Sequence, residues 1–219
     1  MVGRDQVLNA VREARQSEKR RFIQTLDLEI RLRGVDTSKP ENTFVDVYAL
    51  PKGLGSKKKK VCIIADTATL PKARESGAER VLSKEDLVAL AGDKKAIRKL
   101  ARQFDFFVAD ASLMATVGRT MGQILGPRNK VPTPLPPGAD PKVLVQSLKN
   151  SVRVRLKGQP VVRTTVGSED MSESDLTENA LSLIDRVTQK LKGGQSAFDT
   201  AVLKLTMGKP VKIVLKGEK

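Results

Sequence analysis

Apolar and polar residues along this chain switch between two repeats. From Leu26 the chain alternates strictly, with Leu26, Leu28, Ile30 and Leu32 on one side and Asp27, Glu29, Arg31 and Arg33 on the other. A two-residue period marks a half-buried strand. One such strand cannot cover its own apolar face, and the best partners lie at the far end, in the β-branched segments 201–206 and 211–215 around Met207-Gly208-Lys209-Pro210. The two chain ends are therefore expected to form one domain, residues 1–59 and 151–219, with residues 60–150 inserted as a second.

The remaining pattern fills in both parts. Residues 5–20 read as a helix, with Val7, Leu8, Val11 and Ala14 on one stripe and Arg12, Arg15, Lys19 and Arg20 over the rest. A strand is expected at 43–50. Pro51 to Lys60, with two glycines and four successive lysines, reads as a boundary whose lysines are either a phosphate contact or a solvated hinge. From Val61 short apolar strands alternate with helices: strands at 61–65, 80–82 and 106–109, helices at 70–77 and 94–104, and a helix cap in Ser83-Lys84-Glu85-Asp86. Gly118, Gly122 and Gly126 suggest a helix face allowing close backbone approach. The Pro-rich stretch after it reads as a rigid loop, and Asp140-Pro141 opens a helix to about Asn150. Segments 152–156 and 161–166 around Lys157-Gly158-Gln159-Pro160 read as a hairpin. A helix over 172–191 follows, with Leu176, Ala180, Leu183, Ile184, Val187 and Leu191 on one stripe and cations and glycines at its end, in Lys190-Leu191-Lys192-Gly193-Gly194.

Charge and composition narrow the function. The 219 residues carry 40 Lys plus Arg against 25 Asp plus Glu, a net +15, which favours polyanion binding by phosphate neutralisation. Histidine is absent and cysteine occurs once, so Ser-His-Asp, Cys-His and His- or Cys-rich metal designs are excluded. Cys62, inside Val61-Cys62-Ile63-Ile64-Ala65, reads as a buried structural thiol. There is no apolar signal core at the N-terminus and no run near the ~18 apolar residues of a membrane helix, so a cytosolic, unanchored protein is expected. No cofactor or metal is expected. Asp66 and Asp110, each following a strand, leave open a nucleotide-binding enzyme, although no phosphate loop accompanies them. A nonspecific polyanion binder is the third reading.

Several blocks together resemble the ribosomal protein L-one family, most closely its archaeal branch. They are Gly118-x-x-x-Gly122-x-Ile124-Leu125-Gly126-Pro127-Arg128 with Pro132 and Pro134, Leu50-Pro51-x-Gly53-x-Gly55, Arg21-Phe22-x-Gln24-Thr25, and Thr206-Met207-Gly208. The resemblance implies an α/β fold: an α+β outer domain made from both chain ends and an inserted Rossmann-like α/β domain, joined by a hinge. It implies a non-enzymatic protein of the large ribosomal subunit, bound to the 23S rRNA stalk beside the exit site. It also implies help in releasing deacylated tRNA, and repression of its own mRNA through a similar RNA fold. Off the ribosome a monomer is expected. Carried over residue by residue, the RNA site is Arg21, Phe22, Gln24 and Thr25, then Thr206, Met207 and Gly208, with Gly167 and Ser168 in support. Two positions depart from the family pattern: Gln24, where many relatives carry Glu, and Arg163, at an often non-basic position. The residue types suit folded RNA, which is read through sugar hydroxyls, phosphates and shape.

Overall fold

The computed structural model describes residues 3–16, 20–191 and 193–213. In chain order these form α1 (Arg4–Arg15), β1 (Thr25–Leu32), β2 (Phe44–Ala49), β3 (Val61–Ile64), α2 (Leu70–Glu75), β4 (Arg80–Leu82), α3 (Lys84–Ala89), α4 (Lys94–Gln103) and β5 (Phe106–Asp110). There follow α5 (Met114–Leu125), β6 (Thr133–Leu135), α6 (Pro141–Lys149), β7 (Ser151–Leu156), β8 (Val161–Ser168), α7 (Glu173–Lys190), β9 (Phe198–Leu205) and β10 (Val211–Ile213). The fold is mixed α/β. It divides into two compact units, Met1–Lys58 with Asn150–Lys219, and Lys59–Lys149. No helix among the described residues is long and apolar enough to cross a membrane.

The outer unit is built on β1. Its leucines and Ile30 point into the core while its charged residues do not, and it pairs antiparallel with β8 on one side and β9 on the other, giving the sheet order β10-β9-β1-β8. The chain's last strands thus cover its first, as the alternation requires. Helices α1 and α7 pack their apolar stripes, Val7, Ala10, Val11 and Ala14 with Leu176, Ala180, Leu183 and Val187, into the same core as Leu26, Leu28 and Ile30. The helix expected over 5–20 stops at Arg15 with Gln16 as its cap, and residues 17–19 lie outside the described part. So do Lys192, and Val214 and Leu215 of the expected last strand.

The expected hairpin of 152–156 with 161–166 does not form. β7 pairs with β2 in a separate two-stranded sheet, Phe44 opposite Leu156 through Ala49 opposite Ser151, whereas β8 joins β1. The intervening turn, with Gly158 at φ 82°, still reverses the chain. The carbonyl of Pro160 then accepts from Leu32 N–H at 2.8 Å, which draws β8 onto the organising strand instead of onto β7.

The inserted unit is a parallel sheet of order β4-β3-β5-β6 covered on both faces. Cys62, Ile64, Phe107 and Ala109 face α3, α4 and α5 through Leu87, Ile97, Leu100, Val117 and Met121. Val61, Ile63, Phe106 and Val108 face α2 and α6 through Ala73, Val145 and Leu148. β3 and β5 are buried throughout, the mark of a doubly covered parallel strand. Two expectations need correction here. The Pro-rich stretch is not a loop alone: Thr133–Leu135 forms the edge strand β6, where Pro134 is tolerated because one side of an edge strand needs no ladder N–H. And Gly118 and Gly122 on α5 allow no close approach within the protein, since a Cβ at either would meet nothing within 4 Å.

Candidate nucleic-acid interface

β1 begins where its two antiparallel neighbours end. Thr25 lies opposite Ser168 and Leu26 opposite Leu205, so segments 21–25, 167–170 and 206–208 converge on one end of the outer sheet. All nine residues carried over from the family pattern lie in these three segments.

Gln24 clasps the three together. Its side chain is 1% exposed, and its Oε1 accepts from Met207 N–H at 3.0 Å while its carbonyl accepts from Glu169 N–H at 3.0 Å. Thr25 and Thr206 lock beside it. Thr206 N–H donates to the Thr25 carbonyl at 3.0 Å, Thr25 N–H donates to Thr206 Oγ1 at 3.2 Å, and one of the two hydroxyls donates to the other at 2.8 Å. Two hydroxyls carry two protons, so one remains, held only weakly when Thr206 Oγ1 turns to the Thr25 carbonyl at 3.4 Å. Gly208 N–H returns to the Leu205 carbonyl at 2.9 Å and closes the turn, presenting Met207 at its tip, 60% exposed.

In the segment leading into Gln24, Arg21 is exposed, and Phe22 and Ile23 are 49% and 43% exposed. Three large apolar side chains in the open are costly unless something covers them. Lys57 Nζ sits 5.9 Å from the centre of the Phe22 ring, putting a cation and an aromatic face together. A groove of about 540 Å³ is lined by Glu13, Gln16, Arg20, Met207, Lys209 and Pro210.

Gly167 and Ser168 belong to the frame of this surface and not to its exposed part. A Cβ on Gly167 would lie 2.6 Å from Met171 Sδ and 2.8 Å from Leu176 Cδ2. Ser168 is fully buried, and its hydroxyl is engaged by the Leu54 carbonyl at 2.9 Å and by Asp170. The Ser168 hydroxyl, more than any other group, holds the Asp170 carboxyl below the usual aspartate range. Asp170 Oδ2 also accepts from Ser56 N–H at 3.3 Å.

These bonds define a fourth segment, residues 50–57, that the sequence reading did not assign to the site. Buried Asn179 on α7 fastens it: its Nδ2 donates to the Gly53 carbonyl at 2.9 Å and the Val166 carbonyl at 3.0 Å, and its Oδ1 accepts from Lys52 N–H at 3.0 Å. Gly55 has φ 66°, and a Cβ there would fall against Ser168 Oγ and Met171 Cγ. The signal was present in the sequence. A polar Asn179 interrupts the apolar stripe of α7, and two glycines two apart follow a Pro.

The enzyme reading finds little support in the inserted unit. Asp110 accepts from Asp66 N–H at 2.7 Å and from the Thr69 hydroxyl, so it ties the loop after β3 to the end of β5. No metal-holding cluster of His, Cys, Asp and Glu occurs among the described residues.

On this two-unit α/β fold, one end of the outer sheet gathers exposed Phe, Ile, Met, Thr and Arg side chains into a candidate binding surface. The chain belongs to the Ribosomal protein L1p/L10e family, whose profile matches residues 14–209. It is similar to the large ribosomal subunit protein uL1 of Archaeoglobus fulgidus, 39% identical over 215 residues, spanning 98% of this chain and 100% of that one. It is similar also to uL1 of Thermococcus kodakarensis, 41% over 212 residues (96% and 97%), and of Methanothermobacter thermautotrophicus, 39% over 210 (95% and 99%). The family is one of structural ribosomal proteins, and the chain is not an enzyme.

Proposed function

We propose that this protein binds the 23S rRNA stalk of the large ribosomal subunit through the sheet end formed by Arg21, Phe22, Gln24, Thr25, Thr206, Met207 and Gly208. The observation that carries the proposal is the convergence of these segments, 181 positions apart in sequence, into one hydrogen-bonded surface with Phe22, Ile23 and Met207 left in the open. Thr25 and Thr206 offer a hydroxyl pair to ribose 2′-OH groups. Phe22 offers a face for a base or sugar, and Arg21 and Lys57 offer charge to phosphates. Gln24, Gly167 and Ser168 keep that surface in shape before RNA arrives, which lowers the ordering cost of binding.

On the same reading the protein works on the ribosome in the cytoplasm, assists release of deacylated exit-site tRNA, and represses its own mRNA when that RNA presents a similar fold. Support for these last two roles is the family pattern carried by the site residues. The chain crosses between its units at 58–59 and 149–150, and these crossings serve as the hinge. The test is competition between a stalk rRNA fragment and an unrelated RNA duplex of equal length at elevated salt, for the wild type and Met207→Asp. Counterion release fades as salt rises, leaving shape-specific contact. Preference for the stalk RNA, lost in Met207→Asp, is the expected result. Equal competition by the two RNAs would defeat the assignment.

A further inference from the structure

The inserted unit carries a strongly charged surface of its own. Helix α4 reads Lys-Lys-Ala-Ile-Arg-Lys-Leu-Ala-Arg-Gln, five cations and no acid in ten residues. Ile97, Leu100 and Ala101 point into the core, while Lys94, Lys95, Arg98, Lys99 and Arg102 are all exposed. At 100° per residue these five fall on one stripe opposite the buried face. None of them forms an ion pair with an acid among the described residues.

This arrangement costs stability. The pairs Lys94 with Arg98, Lys95 with Lys99, and Arg98 with Arg102 are four apart, where like charges repel. A solvated helix face without a ligand is better served by alternating signs. The stripe is also rigidly mounted. Asp93 caps the start, accepting from Lys95 N–H at 2.9 Å and Ala96 N–H at 3.0 Å. Lys130 Nζ caps the end, donating to the Phe104 carbonyl at 2.6 Å and the Ala101 carbonyl at 3.0 Å, and Arg128 donates to the Arg98 carbonyl at 3.4 Å. Those cations serve the helix dipole and leave the five on the stripe for a ligand.

We infer that the outer face of α4 is a second polyanion site, and that its occupant is the phosphate backbone of an RNA duplex. Charge complementarity selects the occupant. An anionic membrane surface is held by an amphipathic helix that inserts its apolar face, and the apolar face of α4 is already spent on the core. No aromatic side chain stands on the stripe to stack unpaired bases, so contact runs along backbone phosphates without sequence choice. From Lys94 to Arg102 the stripe is roughly 12 Å long at 1.5 Å per residue. A stripe of that length spans more than one phosphate along the backbone of a duplex strand.

The experiment uses the full chain carrying Met207→Asp, which silences the outer-unit surface, and measures affinity for a fluorescent RNA duplex of mixed sequence as salt is varied. Two triple variants are compared in that background. One is Lys95→Gln, Arg98→Gln, Lys99→Gln on α4. The other is Lys72→Gln, Arg74→Gln, Lys142→Gln on α2 and α6, exposed cations on the opposite layer of the same unit. Removing three phosphate contacts makes the slope of log K against log salt shallower by about 2 to 3, and the control triple leaves it unchanged. Should the α4 triple melt early, Arg102→Gln alone is expected to shift the slope by about 1, and Lys95→Arg with Lys99→Arg to keep it. Equal effects of the two triples would mean that net charge alone attracts RNA, and no effect of the α4 triple would mean that the helix is uninvolved; either overturns the proposal. So would α4-dependent binding to phosphatidylserine vesicles tighter than to the duplex. The inference does not rest on the stalk assignment, and the competition experiment above can fail without it.

Discussion

Gln24→Leu separates the clasp of the sheet end from its volume. Leucine nearly fills the space of glutamine and keeps the backbone bond from Glu169 N–H, but it removes the Oε1 that accepts from Met207 N–H at 3.0 Å. A fully buried donor left without its acceptor costs about 1–3 kcal/mol. Met207 is 60% exposed, so water reaches part of that turn and the lower end applies, about 1 kcal/mol. That amount acts on the order of the 206–208 turn and lowers the fraction of molecules poised to bind by up to roughly fivefold. Gln24→Glu restores the acceptor at the same position and is expected to stay close to wild type in both properties at neutral pH. The assay is urea unfolding, followed by titration of the stalk fragment at fixed salt, on the three proteins side by side. If Gln24→Leu unfolds and binds as wild type does, or if Gln24→Glu fails as badly as Gln24→Leu, the hydrogen bond is not what holds Met207 in place.

Three further outcomes are expected. Gly55→Ala, at φ 66° and against Ser168 and Met171, adds backbone strain to overpacking and lowers stability by about 2–4 kcal/mol in urea, while Gly34→Ala, with nothing within 4 Å, shows the strain alone. Burial pushes the Cys62 thiol up to about 12, so the folded protein resists thiol reagents at pH 8 and reacts once denatured; rapid labelling of the native chain would contradict its place in β3. The Asp170 carboxyl is held below its ordinary range, mainly by the Ser168 hydroxyl, so it contributes stability above the unfolded aspartate value that is lost as pH falls through the lower folded one. Acid titration of stability below about pH 4 should therefore be steeper in the wild type than in Asp170→Asn, and identical curves would remove that contribution.

How far the fold could be read from the chain depended on the range of the forces involved. The alternation of Leu26 to Leu32 fixed which side of β1 is buried, and the β-branched segments near the chain end supplied β9 on one side of it, while β8 on the other side was not anticipated. β7 and β8 offered no such discrimination. Both suit a strand and both flank a Gly-Pro turn, and only the six-residue ladder with β2 and the bond from Leu32 to Pro160 separate them. Pro134 reads locally as a loop former, and its place on a sheet edge is a tertiary fact. The family pattern named segments that the fold brings together at one sheet end, without saying which of their residues face outward. Gln24 and Ser168 are polar and look like contacts, yet both are buried because three segments need acceptors and donors where they meet. Ile23, exposed next to Phe22, has no chemistry that stands out in sequence, while Lys57 reads only as part of a lysine run whose role, phosphate contact or solvated hinge, the sequence leaves open.

The most direct test of the central claim is ultraviolet cross-linking of the protein to a stalk rRNA fragment at elevated salt, with the attached peptides identified by mass spectrometry. Salt high enough to release the α4 stripe leaves the shape-specific contact in place. Cross-links are predicted on the peptide containing Phe22 and on that containing Met207, two of the exposed side chains of the converged sheet end. Attachment confined to the inserted unit, with both of these peptides free, would contradict the account.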